Sequence, residues 1–191
     1  MSDKKRIAIF ASGGGSNAAK IMDHFMNIDA VEISIILCNK EGAGVFQEAA
    51  QRKVEARYFG REEFYHSTAV VDLLKKMNID LIVLAGFLWK VPENLIDSFR
   101  NKIVNIHPAL LPKYGGKGMY GAHVHKAVHE AGESESGITV HYVNEHYDEG
   151  AIIFQAIAPL DETDTPKSIE AKVRALEIEH FAPVIEGLLN Q

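Results

Sequence analysis

The sequence predicts an α/β fold: a mostly parallel, twisted sheet with helices on both faces and an antiparallel edge toward the C-terminal part. Three observations predict it. Short apolar runs alternate with segments of helical period up to residue 107, the first run stops at a glycine turn, and two alternating runs follow one another after residue 135 with a short polar link. Strands interleaved with helices imply parallel pairing through right-handed crossovers. Two strands joined by a short link imply an antiparallel pair. The chain has 191 residues, 47% of them hydrophobic and 24% charged, and no composition shift marks a boundary, so one domain over 1–191 is expected. A chain of this size buries roughly 70% of its unfolded surface.

In order, "RIAIFAS" (6–12) is a short buried strand that ends at Gly13-Gly14-Gly15. Ala18, Ile21, Met22, Phe25 and Met26 then recur at i, i+3, i+4, i+7 and i+8, one face of a helix. "VEISIILCN" (31–39) is the second strand, "GVFQEAAQR" a helix, and 61–77 a stronger helix. "DLIVLAG" (80–86) and "KIVNIH" (102–107) are further strands, separated by a helix near 92–99. "SGITVHYVN" (136–144) alternates apolar and polar residues, and "GAIIFQAIAPL" (150–160) follows the link "EHYDE". The last helix starts at Thr165 as cap with Pro166 in its first turn. Ile169, Val173 and Leu176 mark its core face, and Pro183 should kink or end it.

Composition excludes several classes of function. The longest apolar run, "LIVLAGFLW" at 81–89, falls far short of the roughly 20 residues of a bilayer span, so no membrane helix is expected. The start lacks the apolar stretch of a signal peptide and reads as a mature first strand. A single cysteine, Cys38, makes no intrachain disulfide, which fits a reducing, cytoplasmic compartment. A formal charge of −6 argues against a nucleic-acid partner, because that affinity rests on clustered Lys and Arg. A small anion held by local groups is compatible with it, and the oligomeric state is unknown from sequence.

The glycine turn has more than one reading. Gly13 to Gly15 lie between strand and helix, where free backbone N–H groups and the positive helix end can hold a phosphate. A tight turn that needs glycine for backbone reasons explains them equally well. The spacing Gly13-x-Gly15-x-x-Ala18 also satisfies the dinucleotide pattern of Rossmann-like folds. That pattern wants an acidic residue at the end of the second strand, which here reads Cys38-Asn39-Lys40, with Glu32 at the wrong end.

The strand "KIVNIH" raises a sharper question. Alternation points Ile103, Asn105 and His107 one way and Val104 and Ile106 the other. Pro108 biases His107 toward extended backbone, which carries the alternation to the last residue. Ligands of open α/β sheets bind outside the carboxyl ends of the strands, where this pair would sit. A carboxamide donor beside an imidazole can stabilise an oxyanion and move a proton during attack on a carbonyl. A capped strand end with a surface histidine is the plainer reading of an isolated Asn-x-His.

"FASGGGSN", "LAGFLWKVP", "NIHPALLPKYGG" and "GITVHYVNEHYDEGAIIFQ" occur in the order, and at about the spacing, of the folate-dependent glycinamide ribonucleotide formyltransferases. The chain resembles that family over nearly its whole length. The resemblance implies a formyltransferase fold and transfer of a formyl group from 10-formyltetrahydrofolate, as co-substrate, to the amine of glycinamide ribonucleotide in purine synthesis. It implies that Asn105 donates to the developing oxyanion, that protonated His107 adds charge stabilisation, and that Asp148 favours the imidazolium. The attacking amine is neutral, so neither a protein nucleophile nor a metal is implied. The nucleotide phosphate would fall on Gly15, Ser16 and Asn17, with Arg174 and Glu177 of the last helix facing the nucleotide. The folate would lie near Arg61, the backbone of Leu88, Trp89, Lys90 and Val91, and Asn105.

The chain departs from the family in places. The common Asp-Gly-Gly is Asp148-Glu149-Gly150, which implies a stiffer loop. Trp89 and Lys90 stand where the family often carries Arg and an aliphatic residue, and the spacing from Arg174 and Glu177 to Pro183 differs by about one residue. "GGKGMYGAH" is longer than the family's short form, and Gly115, Gly116, Gly118 and Gly121 suggest mobility, either of a lid or of a flexible insertion. His123-x-His125, with His107 and His141, lacks the Cys or carboxylate at ligand spacing that a zinc cluster would add. His141 reads as a pocket wall or a buried partner for Asp148. Two related enzymes carry extra domains not expected in this chain: methionyl-tRNA formyltransferase after the catalytic domain, formyltetrahydrofolate deformylase before it. The rival from another class is a non-catalytic nucleotide-binding module, which needs the glycine turn but not Asn105, His107 and Asp148 together.

Overall fold

The computed structural model describes residues 4–190, and the first apolar run forms β1 (Lys5–Ala11), whose last five residues are buried in succession. Unbroken burial, rather than alternation, is what a parallel strand covered on both faces shows. β1 pairs in parallel with β2 (Val31–Cys38) and with β4 (Leu81–Leu84), and β2 pairs in parallel with β3 (Ala56–Tyr58). With only three residues, β3 carries no periodic signal, and the sequence reading has no strand there. Helix α1 (Ser16–Phe25) buries Ala18, Ile21, Met22 and Phe25 as the periodicity predicts. Met26 falls at its C-cap instead and is 60% exposed. Next comes α2 (Val45–Gln51), whose Val45 and Ala49 are buried.

The helix expected over 61–77 is two helices, α3 (Arg61–Tyr65) and α4 (Ala69–Lys76). The break lies at Ser67 and Thr68, where the Ser67 hydroxyl takes backbone partners from the helix ladder and the Thr68 hydroxyl donates to Asp72 Oδ2 at 2.7 Å. Ser67 Oγ donates to the Glu63 carbonyl at 2.9 Å and accepts from the Ala69 N–H at 3.2 Å. Below them Phe10, Phe59, Phe64 and Phe87 pack with ring centroids 5.0 to 6.2 Å apart in mostly edge-on and tilted contacts. After β4 comes α5 (Glu93–Ser98), as expected.

β5 (Ile103–His107) spans the division between two compact units, Met1–Val104 and Asn105–Gln191. The second unit continues with α6 (Ala122–Glu130), β6 (Glu135–Tyr142), β7 (Ile152–Pro159) and α7 (Pro166–Leu189). The strand order is β3-β2-β1-β4-β5-β6-β7, and β6 and β7 pair antiparallel. This is the mostly parallel sheet with an antiparallel edge that the sequence predicts. α6 was not legible, because Val124 and Val128 are its only buried aliphatic positions. The β6–β7 link is longer than the five residues expected, running from 143 to 151, with Asn144 Oδ1 accepting from the His146 N–H at 3.0 Å to turn the chain. α7 does not end at Pro183. Phe181 and Ala182 before it and Ile185 after it are buried, and that packing outweighs the roughly 3 kcal/mol cost of an interior proline.

Candidate active site

Asn105 and His107 lie at the C-terminal end of β5, His141 lies on β6, and Asp148 lies in the link that follows it. His107 is 4% exposed, so the surface-histidine reading does not hold. Its Nε2 is 2.7 Å from the Tyr114 carbonyl oxygen, and because a carbonyl only accepts, Nε2 carries a proton. Its Nδ1 faces Asp148 Oδ2 at 3.7 Å. That same oxygen accepts the Gly116 N–H at 2.8 Å, and Asp148 Oδ1 lies 3.6 Å from His141 Nε2. The carboxylate therefore sits between two buried imidazoles. Asp148 holds a left-handed φ of 56°, which an aspartate tolerates better than most residues.

His141 is 2% exposed, and burial pushes its imidazole below the ordinary histidine value. The Tyr142 carbonyl and Asp148 pull the other way, while His107 adds to the effect of burial. Its Nδ1 is 2.9 Å from the Tyr142 carbonyl, and its Nε2 is 3.1 Å from Asn105 Nδ2. The sequence reading offers His141 as a pocket wall or a buried partner for Asp148; the residue is buried, but its side-chain hydrogen bond goes to Asn105, with Asp148 farther off at 3.6 Å.

The segment after His107 is clamped by Thr139, a fully buried residue of β6. Its hydroxyl donates to the Ala109 carbonyl at 2.7 Å and accepts from the Leu111 N–H at 3.0 Å. Gln155 Nε2 donates to that hydroxyl at 2.9 Å and to the Leu111 carbonyl at 3.1 Å. Farther on, the Tyr114 hydroxyl and Lys113 Nζ both bind Glu133, each at 2.9 Å to Oε1. The clamp and this anchor set the path of the segment whose Tyr114 carbonyl and Gly116 N–H meet His107 and Asp148. Sequence reasoning missed those two contacts because main-chain groups carry no residue signature. The density of glycines was the one available signal.

In the first unit, Gly15 caps α1 with φ 81°, and a Cβ there would come within 2.7 Å of Val45. Backbone and packing both demand glycine at that position. At Gly13 and Gly14 a Cβ would meet nothing within 4 Å, so packing does not explain those two. Ser16 and Asn17 form the start of α1, which among the described residues has no side-chain cap and no acidic residue in its first turn. Arg61 opens α3 and places its guanidinium 4.8 Å from the centroid of the Trp89 ring. The Leu88 N–H donates to Ser12 Oγ at 2.9 Å, and the Lys90 carbonyl accepts from the Tyr65 hydroxyl at 3.0 Å. Val91 is buried, whereas the Leu88 side chain is exposed.

Arg174, exposed, and Glu177, half-buried, lie about one turn apart on α7. Among the described residues no hydrogen bond or ion pair ties Arg174 to the cluster around Asp148. His125 of α6 is buried, its Nδ1 has no partner among the described residues, and burial pushes it below the ordinary histidine value. No group of three His, Cys, Asp or Glu among the described residues is placed to hold a metal ion.

Comparison with known proteins gives the family of the chain. A family described as formyl transferase matches residues 5–185. The chloroplastic phosphoribosylglycinamide formyltransferase of Arabidopsis thaliana is 37% identical over 98% of this chain, which spans 66% of that relative, just under two thirds of its length. The phosphoribosylglycinamide formyltransferase of Haemophilus influenzae is 38% identical over 95% of this chain and 86% of its own. The crystal structure of glycinamide ribonucleotide transformylase 1 from Geobacillus kaustophilus superposes with a TM-score of 0.88 at 34% identity, covering 97% of this chain and 99% of that one.

Proposed function

Because the chain belongs to the formyl transferase family, we propose that it transfers a formyl group from 10-formyltetrahydrofolate to the amine of glycinamide ribonucleotide, as one formyltransferase domain. The observation that carries the reading is the gathering of Asn105, His107 and Asp148 into one polar cluster around the buried rings of His107 and His141, with Asp148 3.7 Å from the His107 ring. The neutral amine attacks the formyl carbon, and the formyl oxygen becomes an oxyanion. The Asn105 N–H donates to it, and the His107 imidazolium, with Asp148 beside it, stabilises the charge. The new ammonium gives up a proton, N10 of the folate takes one, and the C–N10 bond breaks to release tetrahydrofolate and formylglycinamide ribonucleotide. Neither a metal nor a covalent enzyme intermediate enters the balance.

Gly15, Ser16 and Asn17 at the start of α1 would hold the nucleotide phosphate; the family resemblance adds Arg174 and Glu177 of α7 as further nucleotide residues. Arg61 and the Leu88 to Val91 segment would take the folate. A cytoplasmic location fits the lone, buried Cys38, and no described helix is long and apolar enough to cross a membrane.

The test is turnover of the purified protein with glycinamide ribonucleotide and 10-formyltetrahydrofolate. Asn105→Ala should lose about 10²–10³-fold in kcat, the cost of removing one oxyanion donor, and His107→Ala and Asp148→Ala should also collapse transfer with folding intact. Turnover should fall at low pH as the substrate amine protonates. A folded wild-type protein that transfers nothing, or whose rate is flat from about pH 5 to 8, would overturn the reading.

A further inference from the structure

We propose that His141 is a positioning residue for the transfer: it accepts a hydrogen bond from Asn105 and thereby fixes which end of the carboxamide meets the formyl oxygen. The inference rests on the formyl-transfer reading above and adds a residue to it.

The protons are fixed by the chemistry of the partners. The Tyr142 oxygen, 2.9 Å from Nδ1, is a carbonyl and only accepts, so Nδ1 carries the hydrogen. Asn105 Nδ2, 3.1 Å from Nε2, only donates, so Nε2 presents its lone pair. Both bonds form together in one tautomer of the neutral ring, and burial of His141 favours that neutral form. Asp148 Oδ1 is 3.6 Å from the same Nε2, too far for a hydrogen bond and unable to donate when ionised.

A carboxamide has two ends of similar shape and opposite chemistry. An oxyanion needs the N–H end, and a flipped amide would present an oxygen to a developing negative charge. A bare Nε2 decides the matter, because a flipped Asn105 would set its oxygen against the imidazole lone pair. With one N–H spent on His141, the second N–H of the same group remains for the substrate. His141 thus acts through Asn105 and needs no contact with either substrate.

The experiment is steady-state kinetics of His141→Asn and His141→Gln, each alone and with Asn105→Ala. Asparagine keeps an amide nitrogen for the Tyr142 carbonyl but stops short of Asn105, whereas glutamine reaches the Nε2 position with an oxygen that accepts. We expect His141→Asn to lower kcat about 10–100-fold with KM within about threefold, and His141→Gln to recover to within about fivefold of wild type. In the Asn105→Ala background His141→Asn should cost less than about twofold, since its target is gone. The same loss in both backgrounds would overturn the proposal. Nitrogen-15 NMR of the wild-type imidazole needs no variant to fold: a protonated Nδ1 with a bare Nε2 near neutral pH supports the proposal, and a protonated Nε2 overturns it. A wild-type protein with this tautomer but no formyl transfer would overturn the reaction, and with it the positioning role, while leaving the hydrogen-bond assignment standing.

Discussion

At Gly150 the departure from the family's Asp-Gly-Gly meets its limit. A Cβ there would collide with the Tyr142 carbonyl, whereas position 149 accepts a glutamate on an open link. The Tyr142 carbonyl also receives His141 Nδ1, so anything that shifts it reaches Asn105 through the ring. We expect Gly150→Ala to destabilise the fold by about 2–3 kcal/mol, as overpacking does, and to lower kcat beyond that loss when assayed well below the melting temperature. Denaturant unfolding together with initial rates checks it, and a variant as stable and active as wild type would show that the link yields freely. Strand alternation puts Asn105 and His107 on one face, whereas Asp148 joins them only through the family resemblance, because its place in the link after β6 has no local signature. His141 was half legible, since its burial could be anticipated from strand alternation but its choice between Asp148 and Asn105 depends on fractions of an ångström.

Elements fix the site through one hydroxyl. Thr139 joins β6, the segment after β5 and Gln155 of β7 with three hydrogen bonds to Ala109, Leu111 and Gln155. Thr139→Val keeps the shape and leaves a buried N–H and a buried carbonyl without that partner. Orphaned groups of this kind cost about 1–3 kcal/mol each, so a loss of about 2–4 kcal/mol is expected, with Thr139→Ser recovering most of it. A shift in the urea midpoint with unchanged slope is the measurement. Strands with long apolar runs and helices with full stripes were readable from period alone. The sequence reading failed where local chemistry overrode period: at Ser67 and Thr68, which divide one expected helix into α3 and α4. It failed again at Pro183, where packing on either side carries α7 through a residue that ordinarily ends helices.

For the whole molecule, the alternation of strands and helices made the parallel pairing legible, while the order β3-β2-β1-β4-β5-β6-β7 was not, because periodicity does not record which strand lies beside which. His125 and His141 are both held below the ordinary histidine value by burial. Their unfolded forms take a proton first, so their contribution to stability is complete above about pH 6.5 and is lost as pH falls through that value toward the depressed folded ones. The paired carboxylates act lower: Asp164, held to about 2 by Lys172, loses its contribution as pH falls through the ordinary carboxylate range toward that value. We therefore expect a melting temperature that is level from about pH 8 to 7 and declines from about 6.5 to 5, with His125→Gln flattening part of the decline. An unchanged slope in that variant would remove His125 from the account. The same two buried rings make unfolding near pH 6 a proton-consuming reaction, and the protons come from the buffer. Heat measured by calorimetry would then include the buffer's own ionisation, so imidazole and phosphate buffers should report different unfolding enthalpies for the same transition, and the difference counts the protons that folding keeps out.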